Sequence, residues 1–300
     1  MVFLPAGNLP RARLTPMFAK LTRILSRLRI AASLGLDARP ETLAEARRLM
    51  QMDAMADPRT RHDALYEYLG VKAARAGFEI YNKNLMWQDE PEFWDVWKAS
   101  PYFGKQRPDR KFVLWSMARS TRNLPGDTAE CGVLDGASSY LICSARADAG
   151  PTEHHAFDSF EGLSAPRPED RPDSAVAFEW APGDLSVPLE ETMRKLDRFD
   201  NIRYYKGWIP ARFDEVSSRR FSFVHVDVDL YQPTKDSLAF FYPRLVPGGI
   251  LLCDDYGYHT CPGARKAFDE FAATTPEQSV VHLPTGQGFI VRRGPQAAEG

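Results

Sequence analysis

Apolar and polar positions follow two rhythms along this chain, and the change falls near residue 112. Before it, apolar residues recur at helical spacing. Residues 40–56 (PETLAEARRLMQMDAMA) predict a helix with Pro40 in its first turn and Pro58 just past its end. Further helices are predicted over 61–76 and over 90–98, the latter rich in aromatics, and SPYFGKQRPDRK at 100–111 reads as a linker. Beyond 112, short apolar runs alternate with helical stretches, the pattern of a mostly parallel sheet covered on both faces. The predicted strands are TAECGV (128–133), HHAFDS (154–159), NIRYYKG (201–207), FSFVHVDVD (221–229) and GILLCDD (249–255), with helices near 137–147, 188–199, 209–217, 234–245 and 262–273. At the end, VVHLPT and GFIVRR are joined by a short Gly-containing turn, so the last strand should run antiparallel to its neighbour.

Two stretches depart from these rhythms. The first 36 residues carry six basic side chains (Arg11, Arg13, Lys20, Arg23, Arg27, Arg29) and no acidic one, with Leu14, Met17, Phe18, Leu21, Ile24, Leu25 and Leu28 at helical spacing. A basic amphipathic helix of this kind suits peripheral contact with an anionic membrane, and equally suits docking on its own domain or pairing of two chains as a homo-oligomer. Residues 161–187 break the strand and helix alternation with clustered prolines, several carboxylates and Trp180. An insertion of that length in a compact domain is usually a functional lid or a linker.

Composition narrows the classes. With 44% apolar and 26% charged residues, the chain can bury a sizeable core. Its net charge is −2 and its body has no long basic block, so nucleic acid is not an expected partner. Cys131, Cys143, Cys253 and Cys261 form no C-x-x-C pair and sit in or beside apolar runs, which fits a reducing, cytoplasmic compartment. Neither a membrane-spanning run nor a secretory signal is expected.

In a doubly wound sheet the ligand lies beyond the carboxyl ends of the strands, so those ends carry the candidate chemistry. The first strand runs into ECGVLDGASS (130–139), where Gly132 and Gly136 permit a sharp turn and Glu130 can accept hydrogen bonds. The G-x-G-x-x-G spacing is incomplete, and glycines here serve a purely structural turn equally well. The second strand ends at Asp158, placed to take both hydroxyls of a ribose or to cap a turn. The fourth and fifth strands end in HVDVDLY (225–231) and CDDY (253–256). Three or four carboxylates then converge on one sheet edge, where a divalent cation relieves their repulsion, and an all-oxygen set suits Mg²⁺, Mn²⁺ or Ca²⁺. Capping of the following helices is the competing reading of those aspartates. His225, His259 and the His154–His155 pair lie near strand ends or loops, and His259 is the best placed of them to act as a base.

ECGVLDGASS, FDSFEGL, YYKGW, HVDVDLYQPTKDSLAFFYPRLVPGGILLCDDYG and CPGARKAFDEF resemble, in order and spacing, the macrocin O-methyltransferase (TylF-type) family of S-adenosylmethionine-dependent enzymes, over roughly residues 78–293. The resemblance implies a Rossmann-like class I methyltransferase fold with a seven-stranded sheet and an antiparallel last strand. It divides the chain into an N-terminal helical extension and lid (1–108) and a methyltransferase domain (109–296). It also implies Mg²⁺-dependent methyl transfer from S-adenosylmethionine to a hydroxyl acceptor, usually on a sugar of a glycan or glycosylated natural product. By motif, Glu130, Gly132 and Gly136 would line the methionine part of the cofactor, Asp158 and Ser159 the ribose, and Gly207 and Trp208 the adenine. Asp227, Asp254 and Asp255 would match the metal ligands, with Asp229 behind them.

The expected reaction is an in-line displacement in which the hydroxyl attacks the sulfonium methyl, with Asp227 or His259 receiving the proton. Two other readings stand beside it. Asp227-Val228-Asp229 matches the D-x-D metal site of a nucleotide-sugar glycosyltransferase, which leaves the second aspartate pair without a role. A silent cofactor-binding module would have no need of all three carboxylates.

Overall fold

The computed structural model describes residues 40–77, 86–104, 106–173, 178–275 and 279–294. The basic helix expected within residues 1–36 lies outside them. The chain divides into two compact units, one ending at Lys83 and one beginning at Asn84. In the first, α1 (Pro40–Asp53) and α2 (Pro58–Arg75) are described. Asp57 caps α2 by accepting from the Thr60 amide at 2.6 Å, and Pro58 occupies the first helical position, where its missing N–H costs nothing.

The second unit opens with α3 (Met86–Asp89), α4 (Pro91–Ala99) and α5 (Pro108–Ser120). A sheet with covering helices follows: β1 (Asp127–Cys131), α6 (Ala137–Ala145), β2 (His154–Asp158), α7 (Leu189–Lys195), β3 (Ile202–Lys206), β4 (Phe221–Val226), α8 (Tyr231–Phe241), β5 (Leu245–Cys253), α9 (Pro262–Thr274), β6 (Val281–His282) and β7 (Gly288–Val291). The strand order is β3-β2-β1-β4-β5-β7-β6. All pairs from β3 to β5 are parallel, and β7 runs antiparallel to both β5 and β6. This is the expected seven-stranded, doubly wound arrangement, and its order reverses between β1 and β4, where such sheets open a ligand crevice.

Each face of the sheet has its own core. One packs Leu141, Ile142, Ala156 and Phe223 with Phe93, Trp97, Leu114 and Trp115 from α4 and α5. The other packs Phe157, Val224, Phe241 and Leu251 with Phe213 and Phe268. Because β1 and β4 are central and covered on both sides, every residue of both is buried, including the polar Asp127, Thr128 and Glu130 of β1 and Ser222 and His225 of β4.

Two local expectations are corrected. Residues 108–120 are helical where a linker was expected to reach 111, because Lys111, Leu114, Trp115 and Ala118 are all buried and no polar stripe marks the period. The helix expected over 209–217 is only a 3₁₀ turn, Phe213–Val216, following Pro210.

The 161–187 insertion is closed at its neck. The Leu163 amide donates to the Asp184 carbonyl at 2.8 Å and the Gly183 amide to the Leu163 carbonyl at 2.9 Å. A Cβ on Gly162 would lie 2.4 Å from the Gly183 carbonyl oxygen, so the neck requires glycine there. Further out, buried Asp170 accepts from the Tyr231 amide at 2.6 Å and the Arg167 amide at 2.8 Å. Trp180 Nε1 donates to the Thr260 carbonyl at 2.9 Å.

Candidate active site

The turn after β1 and the end of β4 meet where the strand order reverses. The Asp227 amide donates to the Cys131 carbonyl at 2.8 Å. A Cβ on Gly132, whose φ is +83°, would sit 1.8 Å from the Asp227 carbonyl oxygen. Only glycine permits that approach. Gly136 (φ +90°) opens α6 and leaves room for Leu196 and for Tyr102, whose hydroxyl donates to the Asp135 carbonyl at 2.7 Å.

Asp158 stands at the end of β2 and organises this turn. Its Oδ2 accepts from the Val133 amide at 2.7 Å and the Leu134 amide at 3.1 Å, while Oδ1 accepts from the Phe160 amide at 2.7 Å. Asp158, Ser159 and the half-exposed Trp208 line a cleft of about 600 Å³, which the insertion walls with Pro166, Arg167 and Asp170. Gly207 joins β3 to Trp208, its amide donating to the Asp158 carbonyl at 2.9 Å. Three residues expected to meet a nucleoside thus share one cleft with the insertion.

Glu130 is placed differently. It is fully buried beneath the turn, where Ser139 Oγ donates to one oxygen and His225 Nδ1 lies 3.1 Å from the other. Burial would raise its pKa, but His154 and His225 hold it down at about 2. His225, buried against charge, is nonetheless held up at about 10 by Asp254 and Glu130 on either side. His225 Nε2 lies 3.4 Å from Asp254 Oδ1, off the direction of a hydrogen bond.

Four aspartates gather at the ends of β4 and β5. The strand stops at Val226, and Asp229 takes φ +57°, its amide donating to Asp255 Oδ2 at 3.0 Å. Cys261 Sγ donates to Asp229 Oδ1 at 3.4 Å. The donor atoms form two adjacent sets, His225/Asp227/Asp254 and Asp229/Asp255/Cys261, so the expected trio Asp227, Asp254 and Asp255 straddles both. Burial and the charges of Asp254 and Asp255 push the Asp227 carboxyl well above the usual carboxylate range. Burial, then Asp229 and Asp254, does the same to Asp255. Asp229 is pushed up to about 7, mainly by burial and then by Asp227. Asp254 alone falls below its ordinary value, because His225, Lys111 and Arg110 outweigh its burial.

Arg110, absent from the sequence-based site, is the guanidinium that reaches this cluster. One terminal nitrogen donates to Asp254 Oδ2 and, at 2.5 Å, to the Asp254 carbonyl. Gln287, fully buried, donates to Asp254 Oδ1 at 2.6 Å. His259 is exposed and belongs to neither donor set.

The sequence profile described as macrocin-O-methyltransferase (TylF) matches residues 59–281. The chain belongs to this family. Among curated TylF relatives, it is 35% identical over 152 residues to an 8-demethyl-8-(2,3-dimethoxy-alpha-L-rhamnosyl)-tetracenomycin-C 4'-O-methyltransferase of Streptomyces olivaceus, covering 47% of this chain and 57% of that protein. It is 30% identical over 158 residues to a demethyldecarbamoylnovobiocin O-methyltransferase of Streptomyces niveus, covering 50% and 60%. The matches therefore span about three fifths of those relatives' length. Among solved structures, a calicheamicin methyltransferase superposes with a TM-score of 0.52 at 18% identity, covering 71% of this chain and 94% of that one. The O-methyltransferase NovP gives 0.50 at 23% identity, covering 62% and 81%. Both carry the fold seen here, that of class I O-methyltransferases.

Proposed function

We propose that this TylF-family chain transfers the methyl group of S-adenosylmethionine to a hydroxyl on a sugar of a glycosylated natural product. The observation that carries the reading is the junction at the strand reversal, where a glycine turn and a nucleoside-sized cleft abut four crowded carboxylates. The name of the Streptomyces olivaceus relative, an O-methyltransferase of a rhamnosyl-tetracenomycin, supports the acceptor class.

In this reading Asp158 anchors the turn through main-chain amides and turns its remaining lone pairs to the ribose, while Trp208 offers its ring to the adenine. Gly132, which lets the turn pack directly on the Asp227 backbone, would leave room for the cofactor's sulfonium side there, and Glu130 supports the turn from below. A base working near neutral pH needs a pKa near 7, and Asp229 has one. We assign to Asp229 the proton of the acceptor hydroxyl, in preference to Asp227 or the exposed His259.

The donor set fits a hard divalent cation, since it is dominated by carboxylate oxygens whose crowding raises Asp227 and Asp255 above the usual carboxylate range, a repulsion that a bound cation would relieve. Asp227 and Asp255, with Asp254, would hold Mg²⁺, which when bound would acidify and orient the acceptor hydroxyl.

The test is calorimetry of the full chain with S-adenosylhomocysteine, in Mg²⁺ and in EDTA, beside a panel of nucleotide sugars. Micromolar binding of S-adenosylhomocysteine is expected in both buffers. Cation-dependent binding of a UDP- or GDP-sugar, with none of S-adenosylhomocysteine, would sink the proposal in favour of a glycosyltransferase.

A further inference from the structure

Arg110 stands on the first turn of α5, 144 residues from the aspartate it contacts, and its side chain is only 14% exposed. One guanidinium nitrogen donates to both the side chain and the carbonyl of Asp254 and lies 3.9 Å from Asp255 Oδ1. The guanidinium carbon sits 4.3 Å from the centre of the Tyr258 ring, and Arg107 donates to the Tyr258 hydroxyl at 2.7 Å. Gln287 ties the pair down by reaching Asp254 Oδ1 and, at 3.4 Å, the Arg110 carbonyl.

This seat is incomplete. Arg110 Nε is buried with no hydrogen-bond partner, an arrangement that a guanidinium in a purpose-built ion pair rarely accepts. The charges are also unevenly met: Arg110 pairs with Asp254 and lies 3.9 Å from Asp255, and buried His225 lies 3.4 Å from the same Asp254, so two basic side chains crowd one of the four gathered carboxylates. A divalent ion held by Asp227 and Asp255 would meet a fixed positive charge beside Asp255 and would find both Asp254 oxygens engaged, Oδ2 by Arg110 and Oδ1 by Gln287. Like charges at that separation repel strongly in a buried site.

We infer that Arg110 is an intramolecular counter-cation that competes with the divalent ion for Asp254. It keeps the acidic edge folded when no ion is bound, and it weakens ion binding by the free energy needed to displace it. The inference rests on the divalent-ion reading above. It deepens that reading by naming the residue that sets the affinity of the site.

The experiment is a titration of the full chain with Mn²⁺, followed by electron paramagnetic resonance with Mg²⁺ as competitor, for wild type, Arg110→Gln and Arg110→Lys. Removing the competing charge should tighten Mn²⁺ binding in Arg110→Gln by roughly tenfold or more, the equivalent of one displaced charge-assisted hydrogen bond. Arg110→Lys keeps the charge and should stay close to wild type. Equal or weaker binding in Arg110→Gln overturns the competition. No Mn²⁺ binding by wild type or either variant removes the divalent-ion reading itself. Should Arg110→Gln not fold, wild type decides. In ¹⁵N-arginine spectra the Nε–H signal of Arg110, assigned by its absence from Arg110→Lys, should move on saturation with Mg²⁺, and a signal that stays in place also overturns the inference.

Discussion

Two buried clusters of carboxylates and histidine sit on this sheet and differ in one respect. At the start of β1, Asp127 accepts from the Glu153 amide at 3.0 Å and lies 3.2 Å from His155 Nε2 and 3.3 Å from Arg219. Glu153 is itself paired with Arg219 at 2.7 Å and Arg203 at 2.8 Å. Burial pushes Asp127 up, but His155, the Glu153 amide and Arg219 bring it below its ordinary value. At the ends of β4 and β5, four aspartates share one contacting guanidinium and His225, which Glu130 also claims, and three of them are pushed up instead. Asp127/Glu153/His155 and His225/Asp227/Asp254 are equally compact as donor sets. Counter-charge tells them apart: the first is a finished ion-pair network, and the second retains unbalanced charge that a ligand can answer.

The sharpest way to break this contrast is to neutralise one carboxylate in each cluster. Asp229→Asn should lower kcat by about 10²–10⁴-fold, the range for a lost general base, with S-adenosylhomocysteine affinity nearly unchanged. Asp127→Asn should leave kcat of the folded enzyme alone and lower unfolding free energy by about 1–3 kcal/mol, read by denaturant titration. A turnover loss in Asp127→Asn matching that in Asp229→Asn would abolish the distinction. Next in size, Gly132→Ala forces a side chain onto the Asp227 carbonyl at positive φ and should cost about 3 kcal/mol or more. Normal thermal stability in that variant would mean that the turn and β4 are not in contact as described.

Acid titration sharpens the contrast through its sign. Glu130, lowered to about 2, stabilises the fold above its unfolded value near 4, and that contribution disappears as pH falls through about 2. Asp229, raised to about 7 among Asp227, Asp254, Arg110 and Cys261, binds its proton more tightly when folded. Stability should therefore rise as pH falls from about 7 towards about 4. In EDTA, Asp229→Asn should make the melting-temperature profile shallower across that upper window, with Asp227 and Asp255 carrying the remaining slope, and leave the lower window alone; an unchanged upper slope would contradict the crowding. The smallest effect expected is that of Trp208→Ala, which removes one ring from an open cleft and should weaken S-adenosylhomocysteine by about tenfold or less, with no change in fold.

Much of this was legible because the local pattern and the global arrangement agree. β4 and β5 read as largely apolar runs since they are covered on both faces, and Asp158 and the Asp254–Asp255 pair fall at strand ends because the strands stop there. Asp227 and Asp229 were harder. Strand alternation would put both on one side, but β4 ends at Val226 and Asp229 adopts a left-handed conformation, so their separation depends on a bend that no period announces. Glu130 sits in the expected motif, yet its oxygens go to Ser139 and His225, a partner 95 residues away. Arg110 escaped entirely: it lies in a stretch with linker composition, and its importance comes from a contact that only folding creates. Buried Lys111, donating to Ser138 at 2.6 Å, shows why that stretch lacks an amphipathic signature.

The zipped neck of the insertion has an evolutionary consequence. Because Gly162, Leu163, Gly183 and Asp184 close the neck, the residues between them can change with little strain on β2 or α7 so long as the Asp170–Tyr231 and Trp180–Thr260 contacts are kept. One wall of the cleft is thereby an exchangeable segment on a fixed sheet frame. Under the proposed function, exchanging that segment changes which acceptors are reached while the carboxylates beneath it stay in place.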